Sequence, residues 1–273
     1  MTDLARKLEL DGNLIRKLSE TDMKKISSLA DKCLGKNFSV LKKENDIVRL
    51  AVILECAMRA RAEYEKAGID EKIYYDTMSD IKIWCENNGN RGLKNYGWLS
   101  NHVRLELFRI GRLQFQLYEC KNKTLLYKKL PFSYGENLVY IHIPQGEKLC
   151  EKACLQSLEK AGEFFRKHFP SYSYRYYFCE SWLLFEGNKS FMDEDSNIQR
   201  FYRLFDHAYS IGIDKQAVER IFGKRRLFIR SYPENTTLQK NAKAYMRSGG
   251  RMGIGVGTID KEKVLKGEGR YGN

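Results

Sequence analysis

Chemistry in this chain concentrates at the ends of two apolar runs. In Val139-Tyr140-Ile141-His142-Ile143-Pro144-Gln145-Gly146-Glu147-Lys148 a strand pattern ends, a Pro-Gly turn follows, and helical periodicity begins. With Ile141 and Ile143 toward a core, His142 faces the other side. A neutral imidazole there could take a proton from an amine or hydroxyl nucleophile. A structural histidine bonded to backbone fits the same residues. The helix start offers unpaired N–H groups and the positive end of a dipole, a seat for phosphate, and Lys148 adds charge. One glycine, with no Walker pattern and no G-x-G-x-x-G, fits a plain strand–turn–helix junction equally well.

The second run ends in Cys179-Glu180-Ser181-Trp182. Cys179 could be a thiol nucleophile, Glu180 a base, and Ser181 a proton donor or helix cap. No G-x-S-x-G elbow is present, and a buried cysteine, a capping serine and a core tryptophan are the plainer reading. Ser196-Asn197 reads as a turn or cap, and Trp84 and Trp98 as core. Tyr172–Tyr177, around Arg175, could stack single-stranded bases or form a half-buried aromatic strand. The seven cysteines contain no C-x-x-C pair, so no zinc or redox site is signalled. Cys150 and Cys154 share a helical face, but reduced buried thiols are the ordinary reading. No metal is expected.

These residues need elements to position them. The first third reads as helices, beginning with a region over Asp3–Leu34. From Asp46 to Ala67 a 3.6-residue stripe runs through Ile47, Leu50, Ala51, Leu54, Ala57 and Met58, with Gly68 as a C-terminal cap. Asp70 caps the next helix, which runs to Gly89, and a third spans Trp98–Phe108. The period then becomes two. Strands are expected over Arg112–Leu117, Thr124–Leu130 and Leu138–Ile143, then a helix over Glu147–His168 and a strand over Tyr174–Cys179. A short helix follows toward Arg200, then Arg203–Ser210 as strand or helix, with strand preferred, helices over Asp214–Phe222 and Thr237–Arg247, and a last strand over Arg251–Ile259. The alternating Gly253, Gly255 and Gly257 suggest an open face on that strand. The fold class is α/β (α+β), with a helical domain over 1–108 and a sheet domain over 109–273.

The 273 residues carry a formal net charge of +13, which favours anionic partners: nucleic acid, an anionic membrane face or a phosphate-rich cofactor. From Lys224 onward there are twelve basic residues against four acidic, so most of the surplus lies at the C-terminal end. The bland reading is a solvated helix face and a glycine-rich tail; the sharper one is a surface for phosphates. No apolar run approaches a membrane span, and the N-terminus has no secretory pattern, so a cytoplasmic location is expected.

Phe108-Arg109-Ile110-Gly111-Arg112-Leu113-Gln114-Phe115, Ile141-His142-Ile143-Pro144, Ser181-Trp182-Leu183-Leu184 and Ser196-Asn197-Ile198 together resemble bacterial acyltransferases. These join an N-acyltransferase N-terminal domain to a GNAT-like C-terminal domain. The resemblance covers about Val40 to Gly257. It implies a GNAT-like mixed, mostly antiparallel sheet flanked by helices. It implies an acyl-CoA or acetyl-CoA co-substrate bound where the Leu138–Ile143 and Tyr174–Cys179 strands splay. The pyrophosphate would lie on Ile143, Pro144, Gln145, Gly146 and Lys148. Of the usual Q/R-x-x-G-x-G/A loop only Gly146 remains. In direct transfer to a small-molecule or peptide amine, His142 would be the base. Ser181 or Cys179 would protonate the departing thiolate, and strand N–H groups would polarise the carbonyl. A catalytically silent GNAT-like module, or a nucleic-acid-binding protein using the basic end, are the alternatives.

Overall fold

The computed structural model describes residues 1–121 and 130–265. The described residues form twelve helices and six strands, with short 3₁₀ turns between them. Most of the expected strand at Thr124–Leu130, and Lys266 and Arg270 of the basic end, lie outside the described residues.

The chain divides into two compact units. The first comprises Met1–Gln116, Ile143–Gly146 and Arg166–Phe169. It is built around α4 (Asp46–Lys66), whose Leu50 to Leu54 are all buried. Asn45 caps α4 by accepting from the N–H groups of Ile47 and Val48, and Gly68 closes it at φ +63°. Helices α1 (Thr2–Lys7), α2 (Gly12–Ser19) and α3 (Met23–Gly35) precede it.

Asp70 caps the next helix, as its position predicts, by accepting from Lys72 N–H at 2.7 Å. The single helix expected to Gly89 is two, α5 (Glu71–Met78) and α6 (Asp80–Asn87). The Ser79 hydroxyl between them donates to the Asp76 carbonyl, a local bond that competes with helix continuation. Trp84 and Trp98 are half-buried rather than core. Trp98 donates its indole N–H to the buried carboxylate of Asp80 at 3.0 Å, and His102 Nε2 lies 3.1 Å from the same oxygen.

Helix α7 (Tyr96–Val103) stops short of the expected Phe108. Leu107–Ile110 is a strand, β1, which pairs antiparallel with β2 (Leu113–Glu119). The two-residue turn between them holds Gly111 at φ +66°, a hairpin conformation that glycine allows without penalty.

The second unit comprises Leu117–His142, Glu147–Phe165 and Pro170–Asn273. It contains β3 (Asn137–His142), α8 (Glu151–His168, up to Phe165), β4 (Tyr176–Ser181), α9 (Asn197–Tyr202), β5 (Asp206–Ile211), α10 (Lys215–Phe222), α11 (Thr237–Arg247), β6 (Ile254–Asp260) and α12 (Lys261–Leu265). The sheet order is β1-β2-β3-β4-β6-β5. β3 and β4 are parallel, joined through α8, while β6 lies antiparallel between β4 and β5. The last strand in sequence is therefore an interior strand.

One sheet face buries Cys120, Leu138, Tyr176, Phe178 and Val256. The other lies under α8, where Tyr177 donates its hydroxyl to the Leu158 carbonyl. The glycines of β6 do not line an open face. A side chain at Gly257 would stand 2.8 Å from Phe205 Cβ, and one at Gly255 would overlap the Leu184 carbonyl. The strand is glycine-rich because neighbours occupy that space.

The aromatic segment is structural. The Tyr172 hydroxyl lies 2.9 Å from both the N–H and the carbonyl of Tyr118, and 2.8 Å from the Leu138 carbonyl, bracing β2 and β3. The Tyr174 and Tyr177 hydroxyls bond each other. Among the described residues no helix is long and apolar enough to cross a membrane.

Candidate active site

β3 and β4 pair through Val139↔Tyr177 and Tyr140↔Phe178, and then run on to His142 and Ser181. Matched residues of parallel neighbours share a face, and the face repeats every second residue. Tyr140 and Phe178 therefore share a face, and His142 and Glu180 follow on it at the strand ends. The rings agree: Tyr140 lies 4.8 Å from Phe178 and stacks 4.2 Å from His142 at 24°. Tyr118 closes on Tyr140 edge-on at 5.5 Å. The Tyr140 hydroxyl donates to the Glu180 carbonyl at 3.4 Å.

β6 continues the row. Glu180 stands opposite Val256, and Val256 opposite Tyr209 of β5. Glu180 is half-buried, and burial pushes its carboxyl above the ordinary value. The Tyr209 hydroxyl is buried with no hydrogen-bond partner among the described residues. Burial first, and then the charge of Glu180, push this phenol up to about 12. Leaving a buried hydroxyl without a partner costs about 1–3 kcal/mol.

The structure brings His142 and Glu180 to one face and sets Cys179 and Ser181 on the other. Cys179 is fully buried opposite Gly257, and burial drives its thiol far above the usual thiol range. The Ser181 hydroxyl accepts from Leu183 N–H at 3.2 Å, capping a 3₁₀ turn. Neither faces His142.

The segment after β3 is an irregular turn, not the first turn of a helix. α8 begins at Glu151 rather than Glu147, because Cys150 N–H bonds the Lys148 carbonyl and the first helical bond runs from Cys154 N–H to the Cys150 carbonyl. Ile143 is half-buried, and Pro144 is buried with its carbonyl held by Arg112 at 3.0 Å. Gln145 accepts from Asn87 Nδ2 at 3.2 Å. Gly146 has φ +117° with open space where a side chain would stand, and Lys148 is exposed. Of the five residues expected at the phosphates, Gln145, Gly146 and Lys148 are exposed. Cys150 is exposed and Cys154 buried, so the two thiols share no common environment.

Sequence reasoning missed Tyr140, Tyr209 and Arg112. Tyr140 stands two residues before His142, and strand alternation puts both on one face. Tyr209 carries no such signal, because only the β4-β6-β5 order brings it into the row.

A parallel strand pair joined by a helix, with antiparallel strands beyond, is the arrangement that the resemblance to GNAT-like acyltransferases implies. Residues 107–259, more than half of the chain, match the model of the GNAT-like C-terminal domain, and the chain belongs to that family. Residues 1–105 match the N-acyltransferase N-terminal domain. Similar solved structures include an acyltransferase in complex with decanoyl-CoA, an acyltransferase with decanoyl-CoA and teicoplanin, and an acyltransferase with CoA and 10C-teicoplanin. Each has a TM-score of 0.77 and 21% identity, covering 94% of this chain and 86% of the other, a likeness of fold. No curated protein matches the sequence.

Proposed function

We propose that the protein is an acyl-CoA-dependent N-acyltransferase that passes an acyl group directly from a thioester to a small-molecule or peptide amine. The observation that carries this reading is the row His142, Glu180 and Tyr209 on one face, where the pairing of β3 and β4 ends. The thioester carbonyl lies between the strand ends, within reach of main-chain N–H groups that stabilise its developing oxyanion. The amine nitrogen attacks the carbonyl carbon. His142 takes the amine proton, and Glu180 on the same face supports the imidazolium that forms. The C–S bond breaks, and the hydroxyl of Tyr209 donates a hydrogen bond to the departing thiolate. Gly146 and Lys148 serve the phosphates.

The similar acyltransferases solved with decanoyl-CoA make medium-chain acyl-CoAs the donors to try first beside acetyl-CoA. The test is release of free CoA thiol across a panel of amines. His142→Ala should lower turnover at least about tenfold, within the usual range for a lost general base. Glu180→Gln and Tyr209→Phe should each lower kcat more than they raise KM. Unchanged turnover in His142→Ala would remove it from the mechanism. Calorimetry showing no heat with any acyl-CoA would sink the enzyme reading and leave a silent module.

A further inference from the structure

The loop between α10 and α11 opens the basic C-terminal end and takes no part in the proposed acyl transfer. It reads Lys224-Arg225-Arg226-Leu227-Phe228-Ile229-Arg230, with no acidic residue between Glu219 and Glu234. Its three apolar residues are displayed: Leu227 is 88% exposed, Phe228 55% and Ile229 37%. Single exposed apolar side chains are ordinary, but three in succession inside a cationic frame are not.

The base of the loop is built. Buried Tyr232 packs its ring 4.5 Å from Phe222, and its hydroxyl accepts from Arg226 N–H at 3.1 Å. The buried ammonium of Lys243 donates to the Tyr232 carbonyl at 2.7 Å and pairs with Glu234. Arg225 grips both carboxylate oxygens of Asp214, at 3.0 and 2.9 Å, next to the exposed Ile213. The Arg230 guanidinium lies 5.2 Å over the Phe228 ring. Among the described residues no acid pairs with Lys224, Arg226 or Arg230. The fold spends a buried lysine and a buried tyrosine on holding out an apolar tip.

We propose that this loop docks the protein on an anionic lipid surface. Leu227, Phe228 and Ile229 enter the headgroup–acyl boundary, while Lys224, Arg226 and Arg230 meet the lipid phosphates. The charge sign selects an anionic partner. The apolar tip selects one that also offers a fluid apolar layer, because successive side chains of a loop diverge and no single rigid groove need cover them. Nucleic acid would use the cations and leave Leu227 in water.

The test is co-sedimentation of the full chain with vesicles of phosphatidylglycerol and phosphatidylcholine against vesicles of phosphatidylcholine alone. It needs no acyl transfer, so its failure leaves the proposed function standing. Expected is binding to the anionic vesicles only, weakening as salt rises. A Leu227→Ser, Phe228→Ser double variant should bind at least about tenfold more weakly with an unchanged thermal unfolding curve, since both side chains are exposed. Lys224→Gln, Arg226→Gln and Arg230→Gln combined should also lose binding. Absence of vesicle binding overturns the proposal, as does equal binding by the double variant. A wild-type dimer that the double variant breaks would assign the patch to a second copy instead. An oligonucleotide bound equally by wild type and double variant, with no vesicle binding, would assign the loop to nucleic acid.

Discussion

The glycines of β6 allow one chemical change, glycine to alanine, to be graded by what its new methyl meets. At Gly12, the first residue of α2, nothing lies within 4 Å. Gly12→Ala should stabilise the protein by about 0.4–1 kcal/mol, mainly by restricting the unfolded chain. At Gly257 the methyl would stand 2.8 Å from Cβ of Phe205 and 3.3 Å from its ring, so a buried side chain must shift. The cost should be about 1–3 kcal/mol, typical of overpacking. At Gly255 the methyl would overlap the carbonyl of Leu184 and come within 2.9 Å of Phe185 N, both backbone. Gly255 is pinned from two sides, opposite Ser181 of β4 and Ser210 of β5. The strand cannot slide away from one neighbour without leaving the other, so Gly255→Ala should cost about 3 kcal/mol or more. Urea unfolding followed by circular dichroism reads all three, with the midpoint as the measure and a constant slope as the check on two-state behaviour. The expected order is Gly12→Ala above wild type, then Gly257→Ala, then Gly255→Ala. A Gly255→Ala midpoint within error of wild type would refute the reasoning, because the packing of β6 against Leu184 could not then be as described.

Two further outcomes are expected. Burial alone would raise the Asp80 carboxyl, but hydrogen bonds from His102 and Trp98 hold it below its ordinary 3.8. Its contribution is therefore present above pH 3.8 and is lost as pH falls through the lower folded-state value. Asp80→Asn should cost about 1.5–3 kcal/mol at neutral pH, and the gap from wild type should close in acid; a gap independent of pH would show that the carboxylate charge is not what stabilises. Among the cysteines, only Cys150 is exposed. Brief alkylation of the native protein should modify it alone, as read by intact mass; early modification of Cys179, whose thiol burial holds neutral, would contradict its placement.

The sequence carried most of the helical region, because its signals are local. Asn45, Asp70 and Gly68 act through bonds and dihedrals of their own neighbourhood. It failed at β1, where Leu107–Ile110 continued an apolar pattern and only pairing with Leu113–Gln116 makes a strand. It misread the glycines of β6, since what fills their space comes from Leu184 and Phe205, distant in sequence. His142 and Glu180 were each visible at the end of an apolar run. That they share a face while Cys179 and Ser181 share the reverse depends on the β3–β4 register, which alternation within one strand cannot supply. Tyr209 was invisible for the same reason, two strands further on. The acyl-CoA reading rested on resemblance rather than on any single motif. The loop at Lys224 had its charge legible, but not the exposure of Leu227.

The place of β6 has a consequence for synthesis. β4 and β5 make no pairing with each other, and both depend on a strand that begins at Ile254. As the chain emerges from the ribosome, β4 must wait more than seventy residues for its antiparallel neighbour and β5 more than forty. Such distant contacts close slowly, because the loop entropy is lost before the pairing rewards it. Until then both strands are open edges that a neighbouring nascent chain could join. The N-terminal helices contact one another, so the partners they need are made before β4. Folding should therefore run from the N-terminal helices toward a late, single event in which β6 enters between two strands and aligns Glu180 with Tyr209.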